Sequence, residues 1–183
     1  MNIVFLGSGR FGIDSLNALL GSGHSLVHIF TQPSLPAGRG KKLRKTPVAE
    51  WAESNNVPYD ETDNINCAEM LGKVAECKAD VVIVAAFGQK IGQELIDSFS
   101  RKIINVHASL LPAYRGAAPI NWAIIKGEKV TGVSIITIAA KMDAGEILSQ
   151  EQIEITPDDT AQTLHEKLAK LAAPLLLKTL EQI

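Results

Sequence analysis

The run Val81-Val82-Ile83-Val84-Ala85-Ala86 is apolar at six consecutive positions and is bounded by Asp80 on one side. A strand with no polar face cannot lie against water, so it must be covered on both sides. That is the place of a central strand in a parallel sheet between two layers of helices. The segments around it agree. NIVFL at 2–6 reads as a strand, 11–20 as an amphipathic helix and SLVHIFT at 25–31 as a second strand, the rhythm of a βαβ unit.

Thr46 followed by Pro47 predicts an N-cap and first helical position for a helix ending near Ser54, before Asn55 and Asn56. A short strand is expected at 57–59, a helix at 65–77, a strand at 102–106 and a helix over PINWAIIKG. TGVSIITI and EILSQEQIEI alternate apolar and polar residues, which predicts a half-exposed antiparallel pair at the end of the sheet. Leu164, Leu168, Leu171 and Leu175 form one stripe of a closing helix, with Pro174 expected to kink it. The fold class is therefore α/β and Rossmann-like: a mostly parallel central sheet, helices on both faces and a late antiparallel strand pair. The 183 residues show no repeat or linker and read as one domain. The helical pattern still runs at the last residues, which suggests a truncated chain.

An apolar content of 46% suffices for a substantial core. Cys67 and Cys77 have neither disulfide-framework nor zinc-ribbon spacing, and no apolar run approaches the roughly 20 residues of a membrane span. A reducing, cytoplasmic setting is expected, with no membrane contact. The four histidines show no HExxH or other ligand spacing, so no metal is expected.

Gly7-Ser8-Gly9-Arg10-Phe11-Gly12 is a literal GxGxxG between strand and helix, where a dinucleotide pyrophosphate would sit. An NAD(P)-dependent oxidoreductase is thus one reading. The acid expected about 20 residues on is missing, because the second strand ends Phe30-Thr31-Gln32-Pro33. The other reading is that these glycines only permit a tight turn and close packing.

Charge is segregated along the chain. Residues 1–49 hold six basic side chains and one acid, a net of +5, whereas 50–183 hold 12 basic and 19 acidic, a net of −7. Five of the cations, Arg39, Lys41, Lys42, Arg44 and Lys45, fall in the acid-free stretch TQPSLPAGRGKKLRKT. Clustered Arg and Lys beside Gly in a long loop suit a phosphate backbone, and a solvated loop made soluble by its charges is the alternative.

Asn105 and His107 lie two residues apart at the end of an apolar strand, so their side chains emerge on one side of the sheet. An amide and an imidazole beyond the carboxyl end of a strand can both reach one reacting carbonyl, and acyl transfer would use both. Taken singly, Asn105 and Asp143 could serve turns and His107 could be structural. A hydrolase using Ser109 is conceivable, but no GxSxG elbow is present.

INVHASLLPAYRGAAPINW, followed by TGVSIITI and MDAGEIL, resembles the formyltransferases that use 10-formyltetrahydrofolate, and the likeness runs from Asn2 onward. TQPSLPAGRGKKLRKTPV resembles the branch that formylates methionyl-tRNA, since relatives acting on glycinamide ribonucleotide or amino sugars lack the AGRGKK insertion. The resemblance implies the formyltransferase fold, with Asn105, His107 and Asp143 as catalytic residues. It further implies that Ser109, Leu110, Leu111 and Pro112, together with Phe87, Gly88 and Gln89, bind folate. Arg39 falls on an arginine of the family's tRNA-contacting loop. The implied co-substrate is 10-formyltetrahydrofolate without a metal, and the implied partner is initiator methionyl-tRNA, bound by a monomer. A formyltransferase acting on a small amine such as an amino sugar is the alternative within the family. Two departures stand out: GSGRFG replaces a Thr-Pro pair found in many members, and the family's C-terminal β-barrel has no counterpart in this chain.

Overall fold

A computed structural model describes residues 1–37, 42–99 and 102–183. The parallel part of the sheet comprises β1 (Asn2–Gly7), β2 (Ser25–Thr31), β5 (Tyr59–Glu61), β6 (Val81–Ala85) and β7 (Ile103–His107), and β8 (Val130–Thr137) and β9 (Ile147–Glu154) join it antiparallel. Their order is β5-β2-β1-β6-β7-β8-β9. The connections diverge on either side of β1, so a crevice opens beyond the carboxyl ends of β1, β6 and β7.

The helices are α1 (Ile13–Leu20), α2 (Pro47–Ser54), α3 (Ala68–Glu76), α4 (Gln93–Ser98), α5 (Pro119–Ile125) and α6 (Ala161–Leu180). Thr46 caps α2 by accepting from the Ala49 N–H at 3.1 Å, as Thr-Pro predicts. Helix α6 continues as one element through Pro174. One core layer joins Ile3, Phe5, Ile83, Ile104 and Ile135 to α1, α2 and α6, and the other joins Val4, Leu6, Val82, Val84 and Ile103 to α3 and α4. The all-apolar β6 is buried on both sides, as its sequence requires.

Three expectations change in three dimensions. Strand β8 is not half-exposed: it is buried from Thr131 to Thr137, with Val133 and Ile135 in the layer that contains α6 and Ser134 beneath the chain at 109–111. The short strand begins at Tyr59 instead of residue 57, because the Val57 N–H is engaged by the Ala52 carbonyl as the chain leaves α2. The basic stretch contains a two-stranded ribbon, β3 (Leu35–Ala37) paired with β4 (Lys42–Arg44). Arg39 and Lys41 lie outside the described residues.

Candidate active site

Alternation along β7 decides what reaches the crevice. Ile104 and Val106 point into one core layer and Ile103 into the other, and Asn105 and His107 follow Ile103 on its side, past the last apolar position. The loop from β8 to β9 brings Asp143 to both. Asn105 Nδ2 donates to Asp143 Oδ1 at 3.3 Å, and His107 Nδ1 lies 3.6 Å from Asp143 Oδ2. The second distance is an ion-pair separation and too long for a direct hydrogen bond.

Backbone groups complete the arrangement. His107 Nε2 donates to the Tyr114 carbonyl at 3.0 Å, and the Gly116 N–H donates to Asp143 Oδ2 at 2.8 Å. The Tyr114 phenol in turn donates to Glu128, whose carboxylate raises the phenol above its ordinary range. Of the six non-glycine residues with positive φ among those described, Ala86, Tyr114, Ala118 and Asp143 lie on the loops around this site. Such conformations persist only where surrounding contacts over-determine them. Gly145 lets the Asp143 loop close on β8, since a Cβ there would stand 1.7 Å from the Thr137 carbonyl oxygen.

A cavity of about 130 Å³ opens beside Asn105 and Asp143, with Val84, Ile91, Ile136 and Ile138 as apolar wall. It takes a flat ring but not a whole drug-sized ligand, for which roughly 300 Å³ or more is usual. Larger hollows, among them one of about 870 Å³ between α1 and α6 and one of about 710 Å³ between α3 and α4, contain no part of the Asn105, His107 and Asp143 group. The chemistry of the lining marks the site, not its size. Among the described residues, no three His, Cys, Asp or Glu side chains are placed to hold a metal ion, and no helix is long and apolar enough to cross a membrane.

The remaining candidates divide. Gln89 lines the cavity, but its amide is engaged by the Ile65 N–H at 2.8 Å and the Thr62 carbonyl at 2.7 Å. The Phe87 ring is in the core, and its carbonyl accepts from Gln32 Nε2 at 2.9 Å against Gly88. Ser109 is fully buried and donates its hydroxyl to the Ala113 carbonyl at 2.6 Å, which leaves no free nucleophile for a Ser109 hydrolase. Leu111 is buried, Leu110 half-buried and Pro112 exposed. On the ribbon, Arg44 is exposed opposite Leu35, and Lys45 just beyond it is also exposed but has its ammonium bonded to Glu53.

The first amides of the GxGxxG loop are turned inward. The Ser8 and Gly9 N–H groups both donate to the Ala86 carbonyl at 3.2 Å, and a Cβ on Gly7 would stand 2.5 Å from the Phe5 ring. The glycines allow strand and loop to pack closely, and two of the loop amides that could face a pyrophosphate are turned to the Ala86 carbonyl instead. Sequence reading missed the Tyr114 carbonyl and the Gly116 N–H as site groups. Only Gly116, with φ of 87° after Tyr-Arg, left a trace, a turn that favours glycine.

The sequence profile of the formyl transferase family matches residues 1–180. This chain belongs to the formyl transferase family. Among formyl transferases, the methionyl-tRNA formyltransferase of Acetivibrio thermocellus is 44% identical over 183 residues, covering 100% of the chain and 59% of the relative. That of Alkaliphilus oremlandii is 39% identical over 180 residues, covering 98% of the chain and 58% of the relative. The chain thus spans somewhat under two thirds of these relatives' length. Phosphoribosylglycinamide formyltransferase from Bacillus halodurans superposes with a TM-score of 0.83 at 26% identity, covering 100% of this chain and 94% of that one. An oxidoreductase reading finds no support beside these formyl transferases.

Proposed function

We propose that this chain carries the catalytic centre of a methionyl-tRNA formyltransferase, moving a formyl group from 10-formyltetrahydrofolate to the α-amine of methionine on initiator tRNA. The observation that carries this is the meeting of Asn105, His107 and Asp143 beside an apolar, ring-sized cavity. The cavity suits the pterin ring, with the rest of the folate along the open crevice past Leu110 and Pro112. The donor supplies an activated formyl carbon on nitrogen. As the neutral amine adds there, negative charge gathers on the formyl oxygen; collapse of the adduct then breaks the bond from the formyl carbon to the folate nitrogen, which leaves with a proton to balance the one the amine gives up.

The residues divide the work. Asn105 has one N–H on Asp143 and no second side-chain bond among the described residues, so its other N–H is available to the oxygen. The imidazole is anchored through Nε2 at Tyr114, which leaves Nδ1 as the nitrogen facing the reacting atoms. Asp143 holds Asn105 by one oxygen and, through the other, orients His107 or takes the amine's proton by way of water. Positioning both substrates supplies the remainder without a covalent intermediate.

The acceptor is supported by the cluster of cations in the stretch from Thr31 to Thr46. Arg39, Lys41, Lys42 and Arg44 are the cations proposed to meet tRNA phosphates, in a cytoplasmic setting. The test is formyl transfer from 10-formyltetrahydrofolate to charged initiator tRNA, glycinamide ribonucleotide and amino sugars, by this chain alone and extended to its relatives' length. Formylmethionyl-tRNA is expected. Transfer only to a small amine would overturn the acceptor, and no transfer by either form would overturn the reaction.

A further inference from the structure

His107, Ser134 and Gln150 are directly opposite one another across three neighbouring strands, β7 to β8 to β9. Opposed residues of antiparallel pairs present their side chains on the same face, so the three form one row. The chain at 109–111 lies over that row. Ser134 is fully buried, and its hydroxyl donates to the Ser109 carbonyl at 2.6 Å while accepting from the Leu111 N–H at 3.0 Å and Gln150 Nε2 at 2.7 Å. Those three bonds exhaust a hydroxyl, and their directions are forced because both amide groups can only donate. Gln150 Nε2 also donates to the Leu111 carbonyl at 3.0 Å, which fixes the orientation of its amide.

The far end of the same loop contacts the reactive groups. Ser109 Oγ ties the loop to Ala113, and the next carbonyl, that of Tyr114, accepts from His107 Nε2. Two residues later the Gly116 N–H holds Asp143. The loop is therefore pinned by Ser134 and Gln150 at its start, while its end sets the imidazole and the carboxylate.

We propose that Gln150, on the exposed edge strand and outside the candidate site, is a positioning residue: acting through Ser134 and Leu111, it holds the 109–116 loop so that the Tyr114 carbonyl fixes the His107 ring. A displaced carbonyl would free the ring to turn, and small misplacement of a reacting group costs rate steeply. The proposal rests on the reading of His107 as catalytic, and its test separates the two.

The probe is the ring Nε2–H of His107 in the ¹⁵N-labelled 183-residue chain, assigned by its loss in His107→Gln. Gln150→Met removes the donor at similar length, and Gln150→Glu sets a carboxylate against the Leu111 carbonyl. In both, the protected Nε2–H signal should broaden or vanish while the rest of the spectrum is kept. In the formylation assay kcat should fall on the order of tenfold to a hundredfold with KM for the folate donor unchanged. Ser134→Ala combined with Gln150→Met should be no worse than the more severe single variant, since both act on one loop. An unchanged His107 signal in a folded variant, wild-type kcat, a rise in KM alone or additive losses would each overturn the proposal. If the parent chain transfers no formyl group but Gln150→Met still loses the signal, the positioning holds and the proposed function fails.

Discussion

Gly116 donates its backbone N–H to Asp143 Oδ2 at 2.8 Å, a link between two loops 27 residues apart in sequence. It keeps one carboxylate oxygen occupied while the other meets Asn105, so Asp143 is held on both sides. Asp143→Asn preserves shape but sets an amide against either the Gly116 N–H or the Asn105 Nδ2. The expected loss in kcat is on the order of 10²–10⁴, with the fold retained. Steady-state formylation and circular dichroism of the variant check it, and near-parental turnover would remove Asp143 from the chemistry.

Asn105→Ala deletes one proposed donor to the formyl oxygen. Turnover should drop on the order of 10²–10³, the usual cost of an oxyanion-hole amide, without matching loss of stability. His107→Ala should also lower turnover by orders of magnitude. Single-turnover rates with both substrates saturating separate these effects from weakened binding, and a defect confined to KM would argue for a binding role.

The cations of the basic stretch make unequal predictions. Replacing Arg39, Lys41 and Lys42 by Ala should reduce the slope of log affinity for tRNA against log salt by up to about 3, and Arg44→Ala by about 1. Lys45→Ala should leave that slope alone, because its ammonium is bonded to Glu53, which raises Lys45 and lowers Glu53. Filter binding across a salt series decides the matter, and equal slopes in all variants would make the ribbon a spectator.

Acid stability should report Asp159. The Lys167 ammonium at 2.8 Å and then the Thr156 N–H at 2.9 Å hold its carboxyl well below the usual range, beside the Thr160 cap of α6. A depressed folded-state pKa stabilises above the unfolded value, about 3.9, and that contribution is lost as pH falls toward the folded one. Asp159→Asn should therefore melt below the parent at pH 7, with the gap narrowing below pH ~4. A gap independent of pH would show that the carboxylate's charge contributes nothing.

Gly145→Ala tests the loop closure. With a Cβ forced to 1.7 Å from the Thr137 carbonyl, strand or loop must shift. A destabilisation on the order of 1–3 kcal/mol is expected in urea unfolding, together with reduced turnover because Asp143 is two residues away. A stable and fully active variant would show that the loop accommodates the methyl group without cost to the site.

Features set by neighbours in sequence were legible without coordinates. Thr46-Pro47 predicted the start of α2 because a cap is made three residues away. The spacing of Asn105 and His107 predicted a shared side because alternation is local to a strand. Gln89 and Phe87 were different. Their partners, Thr62, Ile65 and Gln32, lie 24 to 55 residues away, and no local pattern announces that an amide is already engaged or a ring already buried. The six-residue α4 escaped notice since fewer than two turns carry no periodicity.

The chain's own order of residues determined the layered α/β architecture, since an all-apolar β6 can be satisfied only between two layers, and it determined that an amide and an imidazole leave the sheet together. Tertiary structure alone decided that Asp143 arrives between them, that backbone groups of Tyr114 and Gly116 hold both, and that the Ser8 and Gly9 amides of the glycine loop are taken by Ala86. Those contacts join segments far apart along the chain, and hydrogen bonds between such segments form only once the sheet has fixed their distance.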